Sequence, residues 1–137
     1  MGLKGYVVED NPVIRDTLVA ALEELVPMKV VGSAADEDVA VRWLDTPHAP
    51  CDVIIVDLFL HTGSGLGVLR ALQSRKLPLR PVVLSNYANA EMRKQCLALG
   101  AERVFDKSSE IDELVAYCAA LSPLAGLAAP AAQATSG

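Results

Sequence analysis

Asp57 stands at the end of the most apolar short segment of the chain. Residues 53–56 are Val-Ile-Ile-Val, and Leu-Phe-Leu follows the aspartate. A carboxylate in apolar surroundings costs free energy unless it has a partner or contacts water. The position therefore indicates a functional group, and a carboxylate can act as the nucleophile that forms a covalent phosphoenzyme.

Polar side chains also follow three other apolar segments. Glu9 and Asp10 come directly after YVV, Ser85 comes after PVVL, and Lys107 comes after VFD. If these segments are parallel strands, their carboxyl ends meet at one edge of the sheet, where ligands bind in open α/β folds. We therefore expect these four residues to lie close to Asp57.

This set of side chains predicts an aspartyl-phosphate site. The three carboxylates of Glu9, Asp10 and Asp57 repel one another, and Mg²⁺ is a natural remedy because it takes carboxylate and phosphate oxygens. The ammonium of Lys107 and the hydroxyl of Ser85 can bind the oxygens of a transferred phosphoryl group. Phosphoryl transfer depends mainly on such positioning and electrostatic stabilisation.

Strands and helices alternate along the predicted chain. Short apolar runs predict strands at residues 5–8, 28–31, 53–56, 81–84 and 103–105. Helical spacing predicts helices at 12–25, 36–44, after the glycine-rich loop 62–65, at 88–99 and at 110–121. Asn11 before Pro12 is a typical helix start, and Gly100 is a typical helix end.

The alternation predicts an α/β fold, a (βα)₅ doubly wound open parallel sheet of the flavodoxin-like class. Right-handed crossovers favour the strand order 2-1-3-4-5. We expect one domain over residues 1–121 and an Ala/Pro-rich tail or linker over 122–137. The chain has 137 residues, enough for a core without disulfides or a structural metal.

Composition argues against several classes of function. The net charge is −5 and no Lys/Arg cluster is present, so we expect no nucleic-acid binding by this chain alone. The three cysteines lack ligand spacing and indicate reduced thiols. No apolar run has the length of a membrane helix, and no signal-peptide core is present, so we expect a cytoplasmic protein.

The motifs VVEDN, DVIIVD, VVLS and FDK, together with Gly65, resemble those of response-regulator receiver domains, the CheY-like family of bacterial two-component signalling. The resemblance covers about residues 4–121. It implies phosphoryl transfer from a phosphohistidine donor to Asp57. The donor would be a sensor histidine kinase or a histidine phosphotransfer protein, and the face of the fourth helix, fifth strand and fifth helix would switch. Such a domain catalyses its own phosphorylation and dephosphorylation, although it is primarily a signalling switch.

The resemblance also assigns individual roles. It implies Mg²⁺ binding by Asp10, Asp57 and the backbone carbonyl of Phe59, with Glu9 completing the acidic pocket. It assigns modulating roles to Asn86, Tyr87 and Val104. Phe59 and Tyr87 would flank the phosphoryl group, and we expect two bulky, non-acidic neighbours to restrict water and slow hydrolysis of the aspartyl phosphate.

Three positions depart from the family pattern. His61 and Ser108 stand where many receivers have proline, and Val104 stands where the family usually has an aromatic switch residue. Phe105 is next to it but should point to the opposite face of the sheet. These departures leave an alternative: a degenerate receiver that acts as a phosphorylation-independent interaction module.

Two other classes of site fit the sequence less well. A haloacid-dehalogenase-type phosphatase would need a second aspartate two residues after Asp57, where Phe59 stands. The glycine-rich residues 63–67 are similar to a phosphate-binding loop, but they match neither the Walker pattern nor GxGxxG.

Overall fold

The computed structural model describes residues 2–47, 50–86 and 89–121. The five strands are β1 Leu3–Val8, β2 Met28–Ala34, β3 Val53–Val56, β4 Arg80–Ser85 and β5 Arg103–Asp106. The five helices are α1 Pro12–Leu25, α2 Glu37–Asp45, α3 Gly65–Arg75, α4 Ala90–Ala98 and α5 Ile111–Leu121. Within the described ranges no helix is both long and apolar enough to cross a membrane.

The sheet is parallel and its strand order is β2-β1-β3-β4-β5, which confirms the predicted topology. The apolar β3 lies at the centre, and all four of its residues are buried. A strand between two parallel neighbours has helices on both faces, which explains why its sequence is continuously apolar.

The core has two layers, one on each face of the sheet. Alternate residues of β3 point to opposite faces: Ile54 and Val56 belong to the cluster packed by α2, α3 and α4, and Val53 and Ile55 to the cluster packed by α1 and α5. This alternation follows from the two-residue period of a strand. The buried layers hold the sheet rigid, so its carboxyl edge is a fixed platform.

Side-chain caps define where four helices begin. The side chains of Asn11, Asp36, Ser64 and Asn89 each accept a hydrogen bond from a backbone amide in the first turn of the helix that follows. Such caps satisfy amides that have no partner within the helix.

Some boundaries differ from the sequence prediction. β2 continues three residues further, to Ala34, because Gly32, Ser33 and Ala34 pair with residues of β1. The pairing extends the strand although these small residues have little strand propensity of their own. Leu99, rather than Gly100, caps α4, and Gly100 follows it with φ +99, a conformation that favours glycine.

Candidate functional site

The predicted acidic residues meet at the carboxyl edge of the sheet. Val8 of β1 pairs with Val56 of β3, so the residues that follow them, Glu9 and Asp57, are neighbours. Carboxylate oxygens of Glu9, Asp10 and Asp57 lie within 4.8 Å of one another. Glu9 and Asp57 are buried and Asp10 is half-buried. The topology therefore brings together side chains that the sequence separates by nearly fifty residues.

Lys107 reaches across the site to two of these carboxylates. Its Nζ lies 2.6 Å from Glu9 Oε1 and 2.9 Å from Asp57 Oδ2. Its side chain is 10% exposed, so solvent screens these interactions little. The pair Lys107 and Glu9 lies 98 residues apart in the chain, and β5 delivers the lysine to the same edge as β1.

The pKa values in the site show that one ammonium serves several carboxylates. Burial disfavours the charge of Lys107, but its hydrogen bonds to Glu9 and Asp57 outweigh this effect and raise its pKa. Burial raises the pKa of Glu9, and the nearby charge of Asp57 adds to that rise against the lowering by Lys107. The lysine therefore stays charged, while its bonds only partly offset the effect of burial on Glu9.

Backbone amides hold one oxygen of each carboxylate. The Asn11 amide donates to Glu9 Oε2 at 3.1 Å and the Phe59 amide donates to Asp57 Oδ1 at 3.2 Å. The amide of His61 donates to Asp10 Oδ2 at 2.6 Å. These bonds orient the three carboxylates, together with the hydrogen bonds of Lys107 to Glu9 and Asp57. The sequence carries no signal for these amide bonds, because every residue type except proline has the same backbone amide.

The donor set fits a hard divalent cation. Three carboxylates and one ammonium carry a formal charge of −2. The atoms that the three acidic residues offer to a metal ion are all oxygens. Mg²⁺ and Ca²⁺ favour such oxygen sites, whereas zinc sites usually contain Cys or His. The half-buried Asp10 leaves the site open on one side.

Ser85 lies at the end of β4 and is fully buried. Among the described residues, its Oγ has no hydrogen-bond partner. Its backbone carbonyl accepts a hydrogen bond from the amide of Lys107 at 3.1 Å, which ties the ends of β4 and β5 together. A buried hydroxyl without a partner is unusual and suits a ligand oxygen.

A comparison with protein families matches residues 6–119 to the response regulator receiver domain. The chain belongs to this family. A probable transcriptional regulatory protein of Picosynechococcus is 34% identical over 120 residues, which are 84% of this chain and 47% of that protein. The receiver thus spans about half the length of the curated relatives it matches.

Solved receiver structures share the fold. The signal receiver domain of NarL from Mycobacterium tuberculosis superposes with a TM-score of 0.74 at 31% identity, and the match covers 85% of this chain and 95% of that one. A response regulator from Burkholderia pseudomallei superposes with a TM-score of 0.72 at 26% identity, covering 85% and 66% of the two chains. Its crystal structure contains a phosphorylated aspartic acid, a calcium ion and citrate.

The resemblance to receiver domains predicts modulating roles for several positions around the site, and the structure describes most of these positions. Asn86 follows β4 and is exposed, and Tyr87 lies outside the described residues. Phe59 is 48% exposed. Val104 packs in the layer of α2, α3 and α4, whereas Phe105 packs in the layer of α1 and α5. The prediction that Phe105 faces away from the position of Val104 is therefore confirmed.

Two residues that replace family prolines use the amide that proline lacks. The amide of His61 binds Asp10, and the amide of Ser108 donates to Asp106 Oδ1 at 2.8 Å. Proline could make neither bond. The loops after β3 and β5 thus have hydrogen bonds of their own at the two positions that depart from the family pattern.

Proposed function

We propose that this receiver accepts a phosphoryl group on Asp57 from a phosphohistidine donor. A carboxylate oxygen of Asp57 attacks the phosphorus, the P–O bond forms as the P–N bond to the donor imidazole breaks, and the imidazole nitrogen takes up a proton. The observation that carries this proposal is the buried cluster of Asp57, Glu9 and Lys107. Its single lysine does not balance the charge of the carboxylates.

Each site residue has a role in the proposal. Lys107 and the hydroxyl of Ser85 would bind oxygens of the phosphoryl group, and the lack of a partner for Ser85 Oγ among the described residues supports this. Asp10, Asp57 and the carbonyl of Phe59 would bind Mg²⁺, with Glu9 completing the acidic pocket. The bound cation would offset the negative charge on the carboxylates and the phosphoryl oxygens.

The donor would be a sensor histidine kinase or a histidine phosphotransfer protein in the cytoplasm. It would contact α1 and the loops around Asp57, which border the site. Phosphorylation would shift the face formed by α4, β5 and α5, with modulation by Asn86, Tyr87 and Val104. That face would then act on a downstream protein or on an output domain, since this chain spans only about half the length of the curated relatives it matches.

Intact mass after incubation with acetyl phosphate and Mg²⁺ tests the proposal. We expect one added phosphoryl group in the wild type, none in Asp57→Asn, and none when EDTA replaces Mg²⁺. Asp112→Asn is the matched control, because Asp112 is an exposed aspartate on α5. It should be labelled like the wild type.

The alternative function is phosphorylation-independent binding to a partner, which the valine at the switch position 104 favours. Absence of any adduct in a folded protein, with another receiver labelled in parallel, would contradict phosphoacceptance and support this alternative. Labelling of Asp57→Asn at the wild-type level would assign the acceptor to another residue.

A further inference from the structure

The glycine-rich segment 63–67 binds a carboxylate of the chain itself. The Ser64 amide donates to Glu37 Oε1 at 2.9 Å. A Cβ added to Gly67 would clash with the carboxylate of Glu37, and one added to Gly63 would lie 2.5 Å from Glu37 Cβ. Both glycines therefore leave room for Glu37, whose charge also suits the N-terminus of α3.

Glu37 contacts this loop at two points. Its carboxylate accepts the bond from Ser64, and its own amide donates to the carbonyl oxygen of Thr62 at 3.4 Å. His61 precedes Thr62 in the chain, and its amide donates a hydrogen bond to Asp10 of the acidic cluster. The start of α2 is thus connected to a carboxylate of the site through four consecutive loop residues.

We propose that Glu37 is a positioning residue of the phosphoacceptor site. It holds residues 61–64 so that the His61 amide stays on Asp10 and the loop carbonyls after Asp57 keep their place. This inference rests on the proposed function, because it assumes that the acidic cluster binds Mg²⁺. It also accounts for the lack of a side chain at Gly67, because the anion at this end of the loop is the carboxylate of Glu37.

Calorimetric titration of Mg²⁺ into the purified chain tests the inference. In Glu37→Ala we expect the Kd for Mg²⁺ to rise about tenfold, the lower end of effects for groups that orient metal ligands. Glu37→Gln keeps an oxygen acceptor for Ser64 and should recover most of the affinity. Asp38→Ala is the control, because Asp38 is an exposed acid in the same helical turn, and its Kd should equal that of the wild type.

The amide resonances of His61 and Ser64 provide a second measurement without metal. In ¹H–¹⁵N spectra of Glu37→Ala, both resonances should shift and both amides should exchange faster with solvent. The Ser64 amide loses its acceptor, and the His61 amide is held less firmly against Asp10. A shift at Ser64 with an unchanged His61 would show that the contact does not reach the site, and would overturn the inference.

Gly67→Ala approaches the same contact from the other side and serves if Glu37→Ala does not fold. The added methyl displaces the carboxylate, so we expect a similar rise in Kd. Where Glu37→Ala does fold, the same methyl has room in that background and should add little further effect. A wild-type Kd in Gly67→Ala would overturn the proposal.

The wild-type measurements separate this inference from the function on which it rests. If the wild type neither binds Mg²⁺ nor is labelled at Asp57, the proposed function fails and takes the inference with it. If the wild type does both, and the Glu37 variants show the same Kd and labelling rate as the wild type, Glu37 only stabilises the fold. In that case the function stands and the inference is wrong.

Discussion

Arg93 in α4 donates a hydrogen bond from Nη1 to the carbonyl oxygen of Val104 in β5, at 2.8 Å. The same guanidinium lies 3.1 Å from Glu110 Oε1, which also accepts the amide of Asp106 at 2.7 Å. One side chain thus joins α4, the end of β5 and the start of α5 at the position where the family usually has an aromatic residue.

Replacement of Arg93 by alanine should loosen this face. We expect Arg93→Ala to lower the free energy of unfolding by about 1 kcal/mol, because it removes a charge-assisted bond whose donor is 37% exposed. Urea unfolding followed by circular dichroism measures this. Lys94→Ala, an exposed neighbour on the same helix, should change it little. Equal stability of the two variants would contradict the role assigned to Arg93.

Loss of Lys107 should leave buried carboxylates without compensation. Lys107→Met removes the partner of both Glu9 and Asp57, so we expect a loss of about 3 kcal/mol in the free energy of unfolding at neutral pH. Millimolar Mg²⁺ should restore part of that loss and stabilise the variant more than the wild type. Lys29→Met, an exposed lysine of β2, is the control for loss of one positive charge. Thermal unfolding with and without Mg²⁺ would decide the matter.

Acid should weaken the start of α5 through Glu110. The hydrogen bond from the Asp106 amide, and then the one from Arg93, lower the pKa of Glu110 below its ordinary value of 4.5. A lowered folded-state pKa gives stability that is complete above 4.5 and is lost as the pH falls through the folded value. The stability difference between wild type and Glu110→Gln should therefore shrink from pH 6 to pH 3. Glu113→Gln, which removes an exposed carboxylate of α5, is the control for loss of one negative charge.

Proline at position 61 should weaken metal binding. His61→Pro introduces the residue that many receivers have, but it removes the amide that donates to Asp10. We expect the Kd for Mg²⁺ to rise several-fold. His61→Ala keeps the amide and should bind Mg²⁺ like the wild type. If the alanine variant loses as much affinity as the proline variant, the imidazole rather than the amide matters.

The resemblance to receiver domains implies that Phe59 and Tyr87 flank the phosphoryl group, and we propose that their bulk prolongs the phosphorylated state. We expect Phe59→Ser combined with Tyr87→Ser to shorten the half-life of the aspartyl phosphate several-fold, because small polar side chains admit water. The half-life follows from intact mass after acetyl phosphate is removed. Leu97→Ser, which replaces an exposed apolar residue of α4, is the control. An unchanged half-life in the double variant would refute the shielding role.

The elements of this fold follow from local sequence to a large extent. The run of β-branched residues at 53–56 is β3 with the predicted bounds, and Asn11 caps α1 as expected. Both signals can be read from a few consecutive residues. A strand buried on both faces is a continuous apolar run, and a cap needs only amides two or three residues away. β2 was predicted too short, since its last three residues are strand only because β1 pairs with them.

The sequence by itself determined which side chains could form the site. Glu9, Asp10, Asp57 and Lys107 come after apolar strands, Ser85 is the last residue of one, and parallel strands end at one edge of the sheet. Residue types and the strand order are therefore enough to select these side chains, without any distances. The charge of the site follows in the same way from the count of carboxylates and lysines.

The tertiary structure decided how those side chains are held. The bonds of His61 to Asp10 and of Ser64 to Glu37 use backbone amides, which carry no mark of residue identity except at proline. Their partners are 51 and 27 residues away, and only the folded chain brings such distant groups into contact. Local sequence can therefore specify the chemical groups of this site, while packing between distant elements sets their orientation.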